Sequence, residues 1–335
     1  MIVRGILSNT KAVIHRSYQI VFAWEQIISQ KYPMPIISIK KREHWILRKI
    51  NRLSITRNIF LFLNKIYPEN HFYIYFAMII ELGEIRIEKR KNVLPVIIDY
   101  WLTDDRLPDF YDYFSLSRCV LITSKEIYDH LLSKNCPLRI AHFPLSIPDS
   151  DVEKEYLFQP KEFSFLFGGR KNLVFWEYVQ QYEKECPEIE YVYQELDGLI
   201  PYYISNKRGR INGDFSTREG YINLLRKSKI CFYATPGMDK EHANGFNQVT
   251  PRFLELIASG CLVMGKYISN PDTEYYNLEK YCPCINSYED FIKTISLFMD
   301  GSWSQKHIAT YYEYLQKHVT SARIPLLRDI INTIQ

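Results

Sequence analysis

Short apolar runs recur along this chain, each followed by helix signals: residues 93–98 (Val-Leu-Pro-Val-Ile-Ile), 119–123 (Cys-Val-Leu-Ile-Thr), 163–167 (Phe-Ser-Phe-Leu-Phe), 230–234 (Ile-Cys-Phe-Tyr-Ala) and 261–264 (Cys-Leu-Val-Met). A strand wetted on one face alternates polar and apolar residues, whereas a strand covered on both faces is apolar throughout. Runs of this kind separated by helices predict parallel sheets sandwiched between helices, an α/β architecture. The pattern occurs in both halves, and 335 residues suffice for two domains of ordinary size. Pro144, Pro148 and the charged stretch 149–155 read as the linker between them. The expected organisation is two doubly wound Rossmann-like domains, residues 1–150 and 151–315, with a closing helix in 316–335 that packs back on the first.

In the first half, residues 2–7 and 36–39 read as strands, and Ile20, Val21, Trp24, Ile27 and Ile28 have helical spacing. Residues 71–80 read as a buried strand leading into a helix. Residues 40–65 hold eight Lys or Arg against one acid, Glu43, interleaved with Trp45, Ile46, Leu47, Phe60 and Leu61. Such a stretch fits an anionic membrane surface or, equally, a solvated helix face over the core. Nucleic acid is disfavoured, because no recognition fold or stacking platform accompanies the charge. Residues 93–98 end in Asp99, Tyr100 and Trp101, with Asp104 just beyond. Polar and aromatic residues at the carboxyl end of a parallel strand are where open α/β sheets bind ligands. These four are therefore candidates for an acceptor side, unless the Asp residues merely cap the next helix.

The second half restarts with the strand 163–167, then Gly168-Gly169-Arg170-Lys171-Asn172 and a helix through Trp176 and Val179. Glycines after a first strand let backbone approach a phosphate, and two cations beside them would neutralise it. Residues 201–214 read as basic and irregular, and Ser216 or Thr217 caps a following helix. The loop 237–249 carries Asp239, Glu241 and His242, and His242 reads more readily as a surface loop residue than as a catalytic one. Thr250 then stands where an N-cap is wanted, Pro251 suits the first helical position, and Phe253, Leu254, Ile257 and Ala258 form a buried stripe that Gly260 ends. A helix N-terminus offers unpaired N–H groups and the positive end of a dipole, and Arg252 adds a full charge there. Glu255, one turn on, can accept hydrogen bonds from sugar hydroxyls.

The run Thr-Pro-Arg-Phe-Leu-Glu-Leu-Ile-Ala-Ser-Gly-Cys-Leu-Val-Met (250–264) resembles the donor-site segment of the group 1, family 4-like glycosyltransferases. That family carries two glutamates eight positions apart, the second holding the ribose of a nucleotide diphosphate sugar; Glu255 matches it, and Asn247 occupies the place of the first. Asn244-Gly245-Phe246 resembles the family's Glu-Gly-Phe opening, three residues further upstream. The resemblance implies the glycosyltransferase-B fold, two domains facing a central cleft. It implies sugar transfer to a glycan or lipid-linked glycan in bacterial surface polysaccharide synthesis, with retention, no bound metal and no cofactor beyond the nucleotide diphosphate sugar as co-substrate. It implies that Arg170, Arg252 and Glu255 do the chemistry and that Gly168, Gly169, Lys171, Asn172, Asn247, Gln248, Val249, Thr250 and Pro251 hold the donor. The competing reading is a non-catalytic nucleotide-sugar or glycan binder of the same fold.

Charge is uneven: residues 1–150 carry 21 Lys/Arg against 14 Asp/Glu, a balance of +7, and residues 151–335 carry 21 against 24, a balance of −3. Seven cysteines without paired spacing argue for a reducing compartment. No apolar run reaches the roughly 20 residues of a spanning helix, so the expected location is the cytosol, with peripheral attachment at the inner face of a membrane left open. The three-glycine dinucleotide fingerprint is absent, which argues against an epimerase or dehydrogenase.

Overall fold

The computed structural model describes residues 2–11, 16–66, 71–169, 171–198, 200–238 and 245–334. The chain divides into two compact units, one of residues 1–145 with 320–335 and one of residues 146–319. The first boundary therefore falls five residues before the expected position. The closing segment begins at Thr320 and belongs to the first unit.

The first unit is built on six parallel strands: β1 (Ile2–Ser8), β2 (Ile36–Ser38), β3 (His71–Ile79), β4 (Val93–Asp99), β5 (Val120–Ile122) and β6 (Ile140–His142), in the order β2-β1-β3-β4-β5-β6. Helices α1 (Gln19–Lys31), α2 (Lys41–Asn51), α3 (Ser54–Ile66), α4 (Leu107–Phe114) and α5 (Lys125–Ser133) connect them. The strand centres are buried completely, as at Ile6, Ile74, Val96, Val120 and Leu121, which is why these runs are continuously apolar. Ser124 caps α5 by accepting from the Ile127 N–H. The helix expected after residue 80 is absent. That segment runs through turns and one 3-10 turn at Ile87–Lys89, where Ile85 and Ile87 are buried without a helical stripe.

The second unit holds α6 (Lys154–Leu157), β7 (Phe163–Phe167), α7 (Leu173–Glu185), β8 (Tyr191–Asp197), β9 (Ile200–Ser205), β10 (Gly209–Arg210), α8 (Arg218–Arg226), β11 (Ser228–Ala234), α9 (Pro251–Ala258) and β12 (Leu262–Lys266). Helices α10 (Pro271–Tyr275), α11 (Leu278–Tyr281), α12 (Tyr288–Met299), α13 (Gly301–Ala309) and α14 (Tyr311–Gln316) follow. The strand order is β10-β9-β8-β7-β11-β12, with β8, β7, β11 and β12 parallel. Residues 201–214, expected to be irregular, instead supply β9 and β10, antiparallel strands at the sheet edge. Antiparallel pairing needs only a tight turn, so polar edge residues such as Arg208 and Arg210 are tolerated there. Helix α15 (Ile324–Ile334) returns to the first unit, where the Arg139 guanidinium donates to the Thr333 carbonyl at 2.7 Å and that of Arg323 to the Leu145 carbonyl at 3.2 Å.

Helix α9 is the buried centre of the second unit. Phe253, Leu254, Leu256, Ile257 and Ala258 are at most 3% exposed, so it is apolar nearly all round, as an enclosed helix must be. Gly260 ends it at φ +65°, and a Cβ there would lie 2.1 Å from the Leu157 carbonyl oxygen, so both conformation and close approach require glycine.

Candidate functional site

The strand order of the second unit reverses between β7 and β11. Connections leaving these two neighbours run to opposite sides of the sheet, which opens a crevice at their carboxyl ends, the general ligand position of open α/β sheets. The loop after β7 begins with Gly168 and Gly169, and the chain after β11 continues through Thr235 towards the N-terminus of α9.

Arg252, in the first turn of α9, reaches back over the β7 loop. A Cβ built on Gly169 would lie 2.4 Å from Nη2 and 2.6 Å from Nη1 of Arg252, so the missing side chain is what lets the guanidinium rest on that backbone. Among the described residues, nothing hydrogen-bonds or ion-pairs with this guanidinium. Burial disfavours its charge, but the phenols of Tyr221, Tyr203 and Tyr233 and the carboxylate of Glu255 outweigh burial and raise its pKa. A cation resting on glycine backbone at a helix N-terminus can receive an anion.

The segment leading into α9 is pinned at each step. Asn247 is buried; its Oδ1 accepts from the Thr235 hydroxyl at 2.8 Å and its carbonyl from the Asn270 amide at 3.1 Å. Gly237 lies against the same amide, since a Cβ there would sit 2.4 Å from Oδ1. Gln248 and Val249 are buried, and the Val249 N–H donates to Asp272 Oδ2 at 3.3 Å. The Thr250 N–H donates to the Tyr233 hydroxyl at 3.0 Å. Thr250 occupies the N-cap position with extended backbone and Pro251 the first helical position, but no hydrogen bond caps the helix through the Thr250 side chain.

The remaining expected donor residues are engaged elsewhere. The Gly168 carbonyl accepts from the Tyr203 hydroxyl at 3.3 Å. The Lys171 ammonium pairs with Glu195 Oε1 at 2.8 Å and lies over the rings of Tyr193 and Trp176 at 4.5 and 4.6 Å, away from Arg252 in its bonding. Asn172 caps α7 by accepting from the Phe175 N–H at 3.3 Å. Arg170 lies outside the described residues, as do Asp239, Glu241, His242 and Asn244. Glu255 is 8% exposed, and its Oε1 accepts from Arg218 Nε at 2.9 Å while Arg218 Nη2 donates to Asp151 at 2.5 Å. Sequence reasoning passed over this mostly buried Asp151–Arg218–Glu255 chain. Its members are 67 and 37 positions apart, and no local spacing announces them.

On the first unit, Asp99 closes β4 half-buried, and burial pushes its carboxyl up to about 7. Tyr100 is 1% exposed and packs edge-on against Phe110 at 5.6 Å, so it is a core residue. Trp101 is half-buried. Asp104 is at the surface, holding His130 at 2.8 Å and Lys134 at 2.6 Å, which keep its carboxyl below the usual range.

No protein-family model matches the chain, and no curated protein matches it in sequence. Solved structures do match it in fold. The N-terminal domain of Candida albicans trehalose-6-phosphate phosphatase superposes with a TM-score of 0.57 at 9% identity, covering 100% of this chain and 97% of that one. An α,α-trehalose-phosphate synthase (UDP-forming) from Burkholderia vietnamiensis gives 0.52 at 8% identity, covering 98% and 90%. The pneumococcal O-GlcNAc transferase GtfA in complex with UDP and GlcNAc gives 0.53 at 12% identity, and this chain spans 84% of itself but 60% of that protein's length. The chain has the glycosyltransferase-B fold, an α/β architecture of two Rossmann-like units. The fold alone does not assign a reaction, since one of these neighbours is a domain of a protein named as a phosphatase.

Proposed function

We propose that this protein is a glycosyltransferase that moves a sugar from a nucleotide diphosphate sugar to a glycan or lipid-linked glycan acceptor. The observation that carries the reading is the guanidinium of Arg252, without a hydrogen-bonding partner among the described residues, held over the Gly169 backbone at the N-terminus of α9, where the strand order reverses. Negative charge gathers on the departing diphosphate as the glycosidic bond breaks. A preorganised cation and helix dipole aimed at it contribute most in the transition state. In support, neighbours of the same fold include a UDP-forming synthase and a transferase solved with UDP and GlcNAc. Arg170 is proposed as a second cation on that diphosphate. Gly168, Val249, Thr250 and Pro251 shape its seat, while Asn172, Asn247 and Gln248 hold the surrounding loops in place. Asp99 and Trp101 remain the acceptor-side candidates. Retention, metal independence and a place in bacterial surface polysaccharide synthesis belong to the same proposal.

The test is thermal stabilisation by UDP and by a panel of nucleotide sugars. A ligand at 100 times its dissociation constant adds about 2.7 kcal/mol to the stability of the unit that binds it. No shift with any nucleoside diphosphate would sink the reading. One observation favours the alternative of a non-catalytic binder: Asn247 is tied into the loop through Thr235 and Asn270, and brings no carboxylate to the donor. A donor that binds but is neither transferred nor hydrolysed would decide for that alternative.

A further inference from the structure

The hairpin of α2 and α3 leaves much of its apolar surface on the outside. In α3 the one buried residue is a polar one, Asn64, and in α2 only Leu47 is buried. Ile55, Ile59, Phe62 and Ile66 recur at the spacing of a single helical face, yet each is between 54% and 73% exposed. Trp45, at 58%, and Leu53, at 63%, extend that apolar surface onto α2 and the turn.

Two asparagine clamps help attach the hairpin to the unit. Asn51 exchanges hydrogen bonds with the Ile85 backbone at 3.0 and 2.8 Å, and Asn64 bonds the Lys89 carbonyl at 3.0 Å and the Lys91 N–H at 2.9 Å. Between the hairpin and the strands beneath it a cavity of about 520 Å³ remains, lined by Leu7, Ile37, Leu47, Ile50 and Phe60 among others. Among the described residues, nothing in its own unit covers the apolar face of α3. Lys40, Lys41, Arg42, Arg48, Lys49, Arg52, Arg57 and Lys65 are all exposed, and none forms an ion pair with a described residue. The one acid of the stretch, Glu43, faces Arg90 at 3.9 Å.

We propose that the α2–α3 hairpin docks in the plane of an anionic lipid bilayer, with Ile55, Ile59, Phe62 and Ile66 entering the acyl region and the eight cations at headgroup level. This deepens the proposed function by naming the surface that presents its acceptor. Helix α3 has 13 residues and is about 20 Å long, too short for the roughly 30 Å of hydrocarbon, so it lies along the interface rather than across it. Charge chooses the occupant. A second copy of this chain would bring another eight cations against these eight, whereas anionic headgroups neutralise them.

The experiment is co-sedimentation of the full chain with vesicles of phosphatidylcholine, with and without an equal part of phosphatidylglycerol, read together with quenching of Trp45 by brominated lipid. The wild type is expected to sediment only with the anionic vesicles, and the quenching to disappear in Trp45→Phe. Ile59→Ser with Phe62→Ser should weaken partitioning about a hundredfold or more, and Lys49→Gln with Arg52→Gln about thirtyfold. All four sites are exposed, so the fold should tolerate these changes, and an unchanged circular dichroism spectrum checks it. Absence of anionic-vesicle binding at low salt overturns the proposal. So does concentration-dependent dimerisation without lipid that the Ile59/Phe62 variant abolishes. UDP binding measured on the same proteins reports on the second unit, so failure of the donor reading and failure of the membrane surface give different results.

Discussion

Removing Arg218 should cost the second unit more stability than removing any exposed charge. Its guanidinium bridges Asp151 and Glu255, and the three side chains are only 13%, 13% and 10% exposed, so solvent screens them poorly. Burial works against the Arg218 charge, yet the two carboxylates raise its pKa, so the cation is held firmly. Arg218→Ala leaves one buried and one mostly buried carboxylate, Glu255 and Asp151, facing a vacated space. Breaking a buried pair by deleting one partner costs about 3–5 kcal/mol, against about 0–1 kcal/mol for an exposed pair. For a unit of this size each kcal/mol lowers the melting temperature by about 2–4 °C, which gives a fall of about 6–20 °C. The assay is thermal unfolding followed by circular dichroism, with Arg218→Ala/Glu255→Ala alongside. The double variant should recover part of the loss, because one orphaned carboxylate is gone, with a coupling of about 0.5–3 kcal/mol. A loss under about 1 kcal/mol in the single variant, or strict additivity in the double, would refute the view that this chain of charges holds α8, α9 and the segment before α6 together.

Gly169→Ala should leave stability close to wild type, because the clashing atoms are the free end of a flexible Arg252 side chain, while UDP affinity falls; equal losses in both would mean the glycine serves the fold. Arg252→Ala should weaken UDP by about 1.5–3 kcal/mol, the magnitude of a charge-assisted hydrogen bond, and barely affect uridine, as read by isothermal titration. Glu25 and Glu88 are buried, and burial raises each carboxyl to about 7, opposed by hydrogen bonds that include Ser8 for Glu25. The folded state thus holds protons that the unfolded chain releases from about pH 4.3, so the first unit should lose stability between there and pH 7 as pH rises. Glu25→Gln should flatten that slope and stabilise the protein at pH 8; a steeper slope in chemical denaturation would contradict the assignment.

Much of the architecture was legible because burial on both faces writes itself into local composition. The runs around Val96, Leu121, Phe165, Ile230 and Val263 could hardly be anything but covered strands, and all five residues are fully buried. Helix α9 was legible for a similar reason, since Pro251, the apolar stripe and Gly260 fix its two ends locally. Edge strands β9 and β10 were not, because an edge needs no apolar signature and its pairing is decided by the neighbour it finds.

The sequence by itself determined the strands covered on both faces and the two ends of α9, that a glycine pair follows β7, and that a cation opens α9. Only the tertiary structure decided what each polar side chain does, because hydrogen bonds and ion pairs join residues far apart in the chain. Lys171 and Arg252 look equally suited to a phosphate when read along the chain. In space Glu195, Trp176 and Tyr193 claim the ammonium of Lys171, while Arg252 rests on Gly169 with no described hydrogen-bonding partner. Residues 40–65 looked equally suited to a core and to a membrane, since an amphipathic period says that one face is apolar but not which way it points. The structure turns that face outward, because two asparagines bond the inner side of the hairpin to backbone around Ile85 and Lys89 and leave Ile59 and Phe62 exposed.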